Sequence, residues 1–198
     1  MTAVDWRHRL DEILDPVTEG VLDEFRRTGP LRFKSGRQAV THVDERIERL
    51  LIERITAEFP DHAVVGEELG RTGPERAAIE WHVDPIDGTL NYALELPVFS
   101  VSVAAVEGDR ILAGAVLDPL HGERFVAVRG EGAWLGDRRI EVSDRSQLSE
   151  AIGSFQSTRH GRFVADARIL QGVHQSISKI RRLGSVALEL AFVACGRF

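Results

Sequence analysis

The feature that most constrains this chain is the stretch Asp84-Pro85-Ile86-Asp87-Gly88-Thr89. It follows a run of β-branched and aromatic residues that predicts a strand, Ile79-Glu80-Trp81-His82-Val83. Pro85 has a fixed φ and restricts Asp84 to an extended backbone, so Asp84 and Asp87 are held in a defined relation where the strand ends. Two fixed carboxylates with a free carbonyl between them suit a hard, oxygen-binding cation such as Mg²⁺.

The glycine that follows these acids indicates that the same site could also bind an anion. Gly88 allows the backbone to approach a ligand closely, and the amides of Gly88 and Thr89 are free to point at a phosphate. Asp-Pro and Asp-Gly are also common turn dipeptides, so this stretch alone fits an ordinary turn. A second apolar run ends in acids at Glu67 and Glu68, and two such strand ends in a domain of this size can converge on one cation.

A third element is the polar segment from Lys34 to Asp44, which leads into an amphipathic helix. Thr41-x-x-Asp44 has the form of a capping box, which is its purely structural interpretation. The functional interpretation is a hydroxyl and a carboxylate offered to the same pocket. The sequence leaves both open.

The order of these motifs resembles the inositol monophosphatase family of Mg²⁺-dependent, Li⁺-sensitive phosphatases. The resemblance rests on Lys34, Val40-Thr41-x-x-Asp44, Gly66-Glu67-Glu68 and Asp84-Pro85-Ile86-Asp87-Gly88-Thr89-x-Asn91, and it continues through Arg182-Leu183-Gly184-Ser185-Val186-Ala187. Each motif is weak alone, but their combination is highly specific.

The resemblance implies a role for individual residues. The family's metal ligands correspond to Glu67, Asp84, the carbonyl of Ile86, and Asp87, with Asp84 bridging two Mg²⁺ ions. The residues that orient and deprotonate the attacking water correspond to Asp44, Glu67 and Thr89. Phosphate contacts correspond to the amides of Gly88 and Thr89 and to the loop residue Lys34.

Two departures from the family pattern bear on these roles. Gln38 stands where the family often has an Asp, which weakens any metal role for that loop. The family's last metal-binding Asp and an acidic residue that contacts the substrate alcohol would follow Phe198, where this sequence stops. We therefore expect either a fragment or a protein with a degraded metal site, with poor binding of the second metal in both cases.

The hydrophobic patterns predict an α/β fold in two halves. Residues 1–145 form an α+β half, with a helical pattern over 4–27 and an antiparallel meander from Val98 to Val142. Asp15-Pro16 either kinks the first helix or begins a second one. Residues 146–198 alternate strand, helix, strand, helix, which suits a small α/β half. The resemblance implies a layered αβαβα sandwich of the sugar phosphatase type.

Composition agrees with a soluble enzyme. The chain has 198 residues, 43% of them hydrophobic, and a net charge of -6, which argues against binding to nucleic acid or to a membrane surface. The single cysteine, Cys195, fits a reducing cytoplasm, and no apolar run suits a membrane span. Because the family is commonly dimeric, we expect a homodimer.

The predicted function is a Mg²⁺-dependent phosphomonoesterase that hydrolyses a small phosphorylated metabolite, by default inositol monophosphate. Related members act on fructose bisphosphate, histidinol phosphate or phosphoadenosine phosphate. The alternative is a non-catalytic remnant that binds a metal or an anion.

Overall fold

The computed structural model describes residues 4–25, 32–33, 39–155 and 163–198. Its helices are α1 (Trp6–Glu24), α2 (His42–Glu58), α3 (Thr89–Ala93), α4 (Phe163–Ser176) and α5 (Val186–Ala194), with one 3₁₀ turn at Leu148–Glu150. The strands are β1 (Arg32–Phe33), β2 (Ala39–Val40), β3 (Ala63–Gly66), β4 (Arg71–Thr72), β5 (Glu80–Asp87), β6 (Ser100–Glu107), β7 (Arg110–Asp118), β8 (Glu123–Val128), β9 (Gly132–Leu135), β10 (Arg138–Arg139), β11 (Ile152–Ser154) and β12 (Lys179–Arg181).

Eight strands form one mixed sheet in the order β10-β9-β8-β7-β6-β5-β3-β4. The strands from β5 to β10 pair antiparallel with their sequence neighbours, which confirms the predicted meander. Strands β3 and β5 pair parallel, so the ends of both predicted acidic strands lie at the same edge of the sheet. Two small sheets, β1-β2 and β11-β12, account for the other strand pairs within the described ranges.

Helices α1 and α2 cover one face of the large sheet. Helix α1 continues through Pro16 as a single helix, so Asp15-Pro16 does not begin a second helix. Pro16 cannot donate to the carbonyl of Glu12, and the guanidinium of Arg54 approaches that carbonyl at 3.5 Å. The core beneath these helices is apolar and includes the fully buried Trp81 of β5.

Helix α5 covers part of the opposite face of the sheet. Leu188 and Ala191 of α5 pack against Phe125 of β8 and Ile140. Glu189, on the same helix, accepts a hydrogen bond from Ser154 of β11 and therefore joins the small parallel sheet to this layer. The predicted α/β class is confirmed, and helices pack on both faces of the large sheet.

Within the part of the chain that the structure describes, no helix combines the length and the apolar character that crossing a bilayer requires. Cys195 is half-buried at the end of α5, where it packs against the cluster that contains Leu188 and its thiol donates to the carbonyl of Phe192.

Candidate active site

Strand β5 carries the acids further than the sequence pattern predicted. The strand does not end before Asp84 but runs on to Asp87, with its register against β6 shifting between these two residues. Asp84 pairs with Ser102 and Asp87 with Ser100, so two residues of β5 stand opposite one residue of β6. Such a bulge tolerates Pro85, which has no backbone N–H for the ladder.

Asp84 lies at the start of this bulge with its side chain turned back onto the main chain. Its Oδ1 accepts a hydrogen bond from the backbone N–H of Ile86 at 3.1 Å. Burial raises the pKa of Asp84 to about 8, and the negative charges of Glu67 and Asp87 add to the rise. The carboxyl group is therefore in a site with excess negative charge, which a bound cation would relieve.

Asp44 and Thr89 meet as a hydroxyl–carboxylate pair. The Thr89 hydroxyl lies 3.1 Å from Asp44 Oδ1 and 3.0 Å from the carbonyl oxygen of Ile86, and its one hydrogen can go to either acceptor. Asp44 Oδ2 accepts from the backbone N–H of Thr41 at 2.8 Å and from its hydroxyl at 2.6 Å. The capping interpretation of the Thr41-x-x-Asp44 motif is confirmed, and the carboxylate that caps α2 also lies within hydrogen-bond distance of the Thr89 hydroxyl.

Burial also raises the pKa of Asp44, while the hydrogen bonds from Thr41 and Thr89 lower it. The three donors therefore favour the ionised form, which burial disfavours.

Asp87 is turned toward the start of α5. Its Oδ2 accepts from the Ser185 hydroxyl at 2.7 Å and from the backbone N–H of Ala187 at 2.7 Å. The Ser100 hydroxyl lies 3.4 Å from the same oxygen and 2.9 Å from the Ser185 hydroxyl. One carboxylate oxygen of Asp87 thus joins the end of β5 to the first turn of α5.

The backbone around Gly88 is tightly enclosed. Gly88 has φ 99°, and a Cβ at this position would lie 3.2 Å from the carbonyl oxygens of Gly184 and Val98. The Asn91 amide donates to the carbonyls of Val98 and Leu183, both at 2.7 Å, and fixes these two segments next to Gly88. Glycine is therefore required at position 88 by its conformation and by the close approach of other backbone.

The exposed Glu67 follows β3, across a cavity from Asp84. This cavity of about 310 Å³ is lined by Glu67, Asp84 and neighbouring residues of β3, β5 and β6, among them His82 and Ser102. Lys34 and Gln38 lie outside the described residues.

The oxygen donors match the chemistry of Mg²⁺ but do not form a closed set of ligands. Among the described residues, no group of three or more His, Cys, Asp or Glu side chains is placed to hold a metal ion. The negative charges of Glu67 and Asp87 still raise the pKa of Asp84, so both carboxylates lie within electrostatic range of Asp84. Carboxylates and a carbonyl are the ligands that Mg²⁺ prefers, so the donor set fits this ion.

Several residues around the site were not given a role from the sequence. Ser100 and Ser185 bind Asp87 from positions far apart in the chain, and no local spacing could reveal that contact. Asn91 and Ser185 belong to the motifs that carry the resemblance, but the motifs alone do not say what they touch. Glu48 could have been found, because it lies four residues after Asp44 and so on the same helix face.

Comparison with known proteins identifies the family. A model of the inositol monophosphatase family matches residues 12–198. This chain belongs to the inositol monophosphatase family.

Three of its curated relatives carry different names. Nus factor SuhB of Pasteurella multocida is 38% identical over 168 residues, 83% of this chain and 62% of the relative. Inositol-1-monophosphatase of Rhizobium meliloti is 37% identical over 164 residues, 80% of this chain and 60% of the relative. Fructose-1,6-bisphosphatase/inositol-1-monophosphatase of Aquifex aeolicus is 35% identical over 167 residues, 83% of this chain and 63% of the relative.

Solved structures of the family share the fold. The extragenic suppressor protein SuhB of Bartonella henselae superposes with a TM-score of 0.92 at 27% identity, over 98% of this chain and 76% of that chain. The IMPase of Thermotoga maritima superposes with a TM-score of 0.87 at 32% identity, over 98% of this chain and 74% of that chain. The chain spans about three fifths of the length of the curated relatives it matches.

Proposed function

We propose that this member of the inositol monophosphatase family is a Mg²⁺-dependent phosphomonoesterase that hydrolyses a small sugar or inositol phosphate. The observation that carries the proposal is the contact between the Thr89 hydroxyl and the buried Asp44 carboxylate, 3.1 Å long, next to the acids of β5. The family membership and the excess negative charge around Asp84 support it.

The roles of the side chains follow from their hydrogen bonds. When the Thr89 hydroxyl donates to Asp44, its lone pairs are free to accept a hydrogen bond from a water molecule. Asp44 would hold the Thr89 hydroxyl in this orientation, the hydroxyl oxygen would orient the attacking water, and Glu67 would accept the one proton that the water loses. The three donors to Asp44 favour its ionised form, in opposition to the burial that raises its pKa.

Glu67, Asp84, Asp87 and the carbonyl of Ile86 would hold the cation. In that position the cation would supply positive charge to the phosphate dianion and would lower the pKa of a bound water molecule. The backbone amides of Gly88 and Thr89 would bind phosphate oxygens, since Gly88, with φ 99°, turns the chain from the acids of β5 into α3. Lys34 would add a positive charge on the phosphate side.

The decisive experiment is release of inorganic phosphate from a panel of monoesters by the 198-residue chain, with Mg²⁺ and with EDTA. The panel holds inositol 1-phosphate, fructose 1,6-bisphosphate, histidinol phosphate and phosphoadenosine phosphate. We expect release from at least one compound, dependent on Mg²⁺ and lost in Asp84→Asn. Release that is insensitive to EDTA would contradict the proposal.

A second candidate is a non-catalytic protein that binds a metal or an anion. It is favoured by the absence of a closed ligand set among the described residues. Mg²⁺ binding without phosphate release from any compound of the panel would support it. A homodimer and a cytoplasmic location stay predictions, and light scattering would test the first of them.

A further inference from the structure

A buried carboxylate that the proposed mechanism does not use lies beneath the acidic turn, defined as residues 66–70 between β3 and β4. This is Glu48 of α2, whose relative exposure is 0%. Removing an ionised carboxylate from water is costly unless hydrogen bonds replace its hydration. The surroundings of Glu48 therefore indicate what the carboxylate does.

Both oxygens of Glu48 are bound by the acidic turn. Oε2 accepts from the backbone N–H of Glu68 at 2.8 Å, and Oε1 accepts from the backbone N–H of Leu69 at 2.7 Å. The turn is closed separately by a hydrogen bond of 3.0 Å from the N–H of Gly66 to the carbonyl of Gly70. The Glu48 carboxylate thus holds the two backbone amides directly after Glu67 in place by hydrogen bonds.

The sequence of the turn is adapted to this carboxylate. A Cβ built on Gly66 would lie 1.9 Å from Glu48 Oε1 and 2.2 Å from its carboxyl carbon. Any residue other than glycine at position 66 would therefore displace the Glu48 side chain. The positions of Gly66 and Glu48 depend on each other.

Helix α2 connects this contact to the rest of the site. Asp44 and Glu48 are four residues apart and project from the same face of α2. Asp44 binds Thr89 after β5, and Glu48 binds the turn after β3. One helix face thus sets the position of both acidic strand ends.

We propose that Glu48 is a positioning residue, which orders the acidic turn so that Glu67 faces Asp84 across the cavity and can bind Mg²⁺. The proposal rests on the proposed function for the metal. The ordering of the turn can be measured without any metal.

The test compares Glu48→Gln with Glu53→Gln, an exposed control on the same helix. Gln has one oxygen and an NH₂ group, so one of the two amides of the turn meets a donor instead of an acceptor. We expect amide hydrogen exchange at Glu68 or Leu69 to become at least about tenfold faster in Glu48→Gln, without change elsewhere in the sheet. We expect the Kd for Mg²⁺, measured by calorimetry, to rise about tenfold, and neither quantity to change in Glu53→Gln.

Gly66, which lies against the Glu48 carboxylate, offers an independent test. Gly66→Ala should speed exchange at the same two amides, whereas Gly172→Ala should not, because a Cβ at Gly172 meets no atom within 4 Å. In a Glu48→Ala background, Gly66→Ala should have little further effect, because the clash has been removed.

The outcomes separate the two hypotheses. A lowered melting temperature of Glu48→Gln with unchanged exchange and unchanged Mg²⁺ affinity would overturn the positioning role. Unprotected Glu68 and Leu69 amides in the wild type would also overturn it, even if Glu48→Gln failed to fold. A wild type that binds no Mg²⁺ would instead overturn the proposed function, and the exchange rates would still decide whether Glu48 orders the turn.

Discussion

Replacing Asp84 by Asn should stabilise the metal-free chain at neutral and alkaline pH. The pKa of Asp84 is raised from 3.8 to about 8 in the folded protein, so the folded state binds a proton more tightly than the unfolded state. The favourable contribution is complete below pH 4 and is lost as pH rises through 8. At about 1.4 kcal/mol per pKa unit, a shift of this size gives an upper bound of about 6 kcal/mol. Asn keeps an oxygen to accept from Ile86 but cannot ionise.

The assay is urea unfolding in EDTA at several pH values between 4 and 9, for the wild type, for Asp84→Asn and for the exposed control Asp109→Asn. We expect the unfolding free energy of the wild type and of the control to fall with rising pH by several kcal/mol. The curve of Asp84→Asn should be flatter and should lie above the wild type at pH 8. Parallel curves for the wild type and Asp84→Asn would refute the reasoning. They would show that Asp84 does not bind a proton more tightly in the folded state than in the unfolded state.

Two further substitutions test other contacts of the site. Thr89→Ala should lower the rate of phosphate release by about a hundredfold while leaving the Kd for Mg²⁺ unchanged, because it removes only the hydroxyl that orients water. Weaker Mg²⁺ binding in this variant, or an equal loss in the exposed control Thr72→Ala, would show that the role is wrong. Ser185→Ala should lower the unfolding free energy by about 2 kcal/mol, because it removes a hydrogen bond to the carboxylate of Asp87. Urea unfolding checks this, and a loss no larger than that of the exposed Ser178→Ala would contradict it.

Local patterns predicted the elements that carry the site. The alternation of apolar residues from Val98 onward identified the meander, because each side chain of a strand alternates between the two faces of the sheet. The capping form of Thr41-x-x-Asp44 fixed the start of α2 to the residue. The α/β class followed from these elements together.

The orientation of the acids could not be obtained from sequence patterns. Asp87 lies three residues after Asp84 on β5, yet one of its oxygens binds Ser185 and Ala187, which are about a hundred residues further along the chain. Only the packing of α5 against the sheet creates that contact. Similarly, strand β5 extends past Pro85 because the bulge against β6 means that no N–H is needed at this position. The sequence of one strand does not predict its register against the neighbouring strand, so the bulge could not be foreseen.

Glu189 shows the same dependence on packing. Its position within an apolar helix is typical of a carboxylate that is either paired or faces the edge of a pocket, and in the structure Glu189 is paired. Its carboxylate accepts from the backbone N–H of Gly184 at 3.1 Å, from that of Leu183 and from the Ser154 hydroxyl. The pairing was predictable because a buried carboxylate needs partners, but the identity of the partners was not.

The claim that the acids of β5 hold a metal is tested most directly by calorimetric titration of the 198-residue chain with Mg²⁺. The account predicts a binding isotherm for the wild type and for Asp109→Asn, and no measurable binding for Asp84→Asn, since that substitution removes the central carboxylate without removing its bulk. Equal Mg²⁺ binding by the wild type and Asp84→Asn, or none by either, would contradict it.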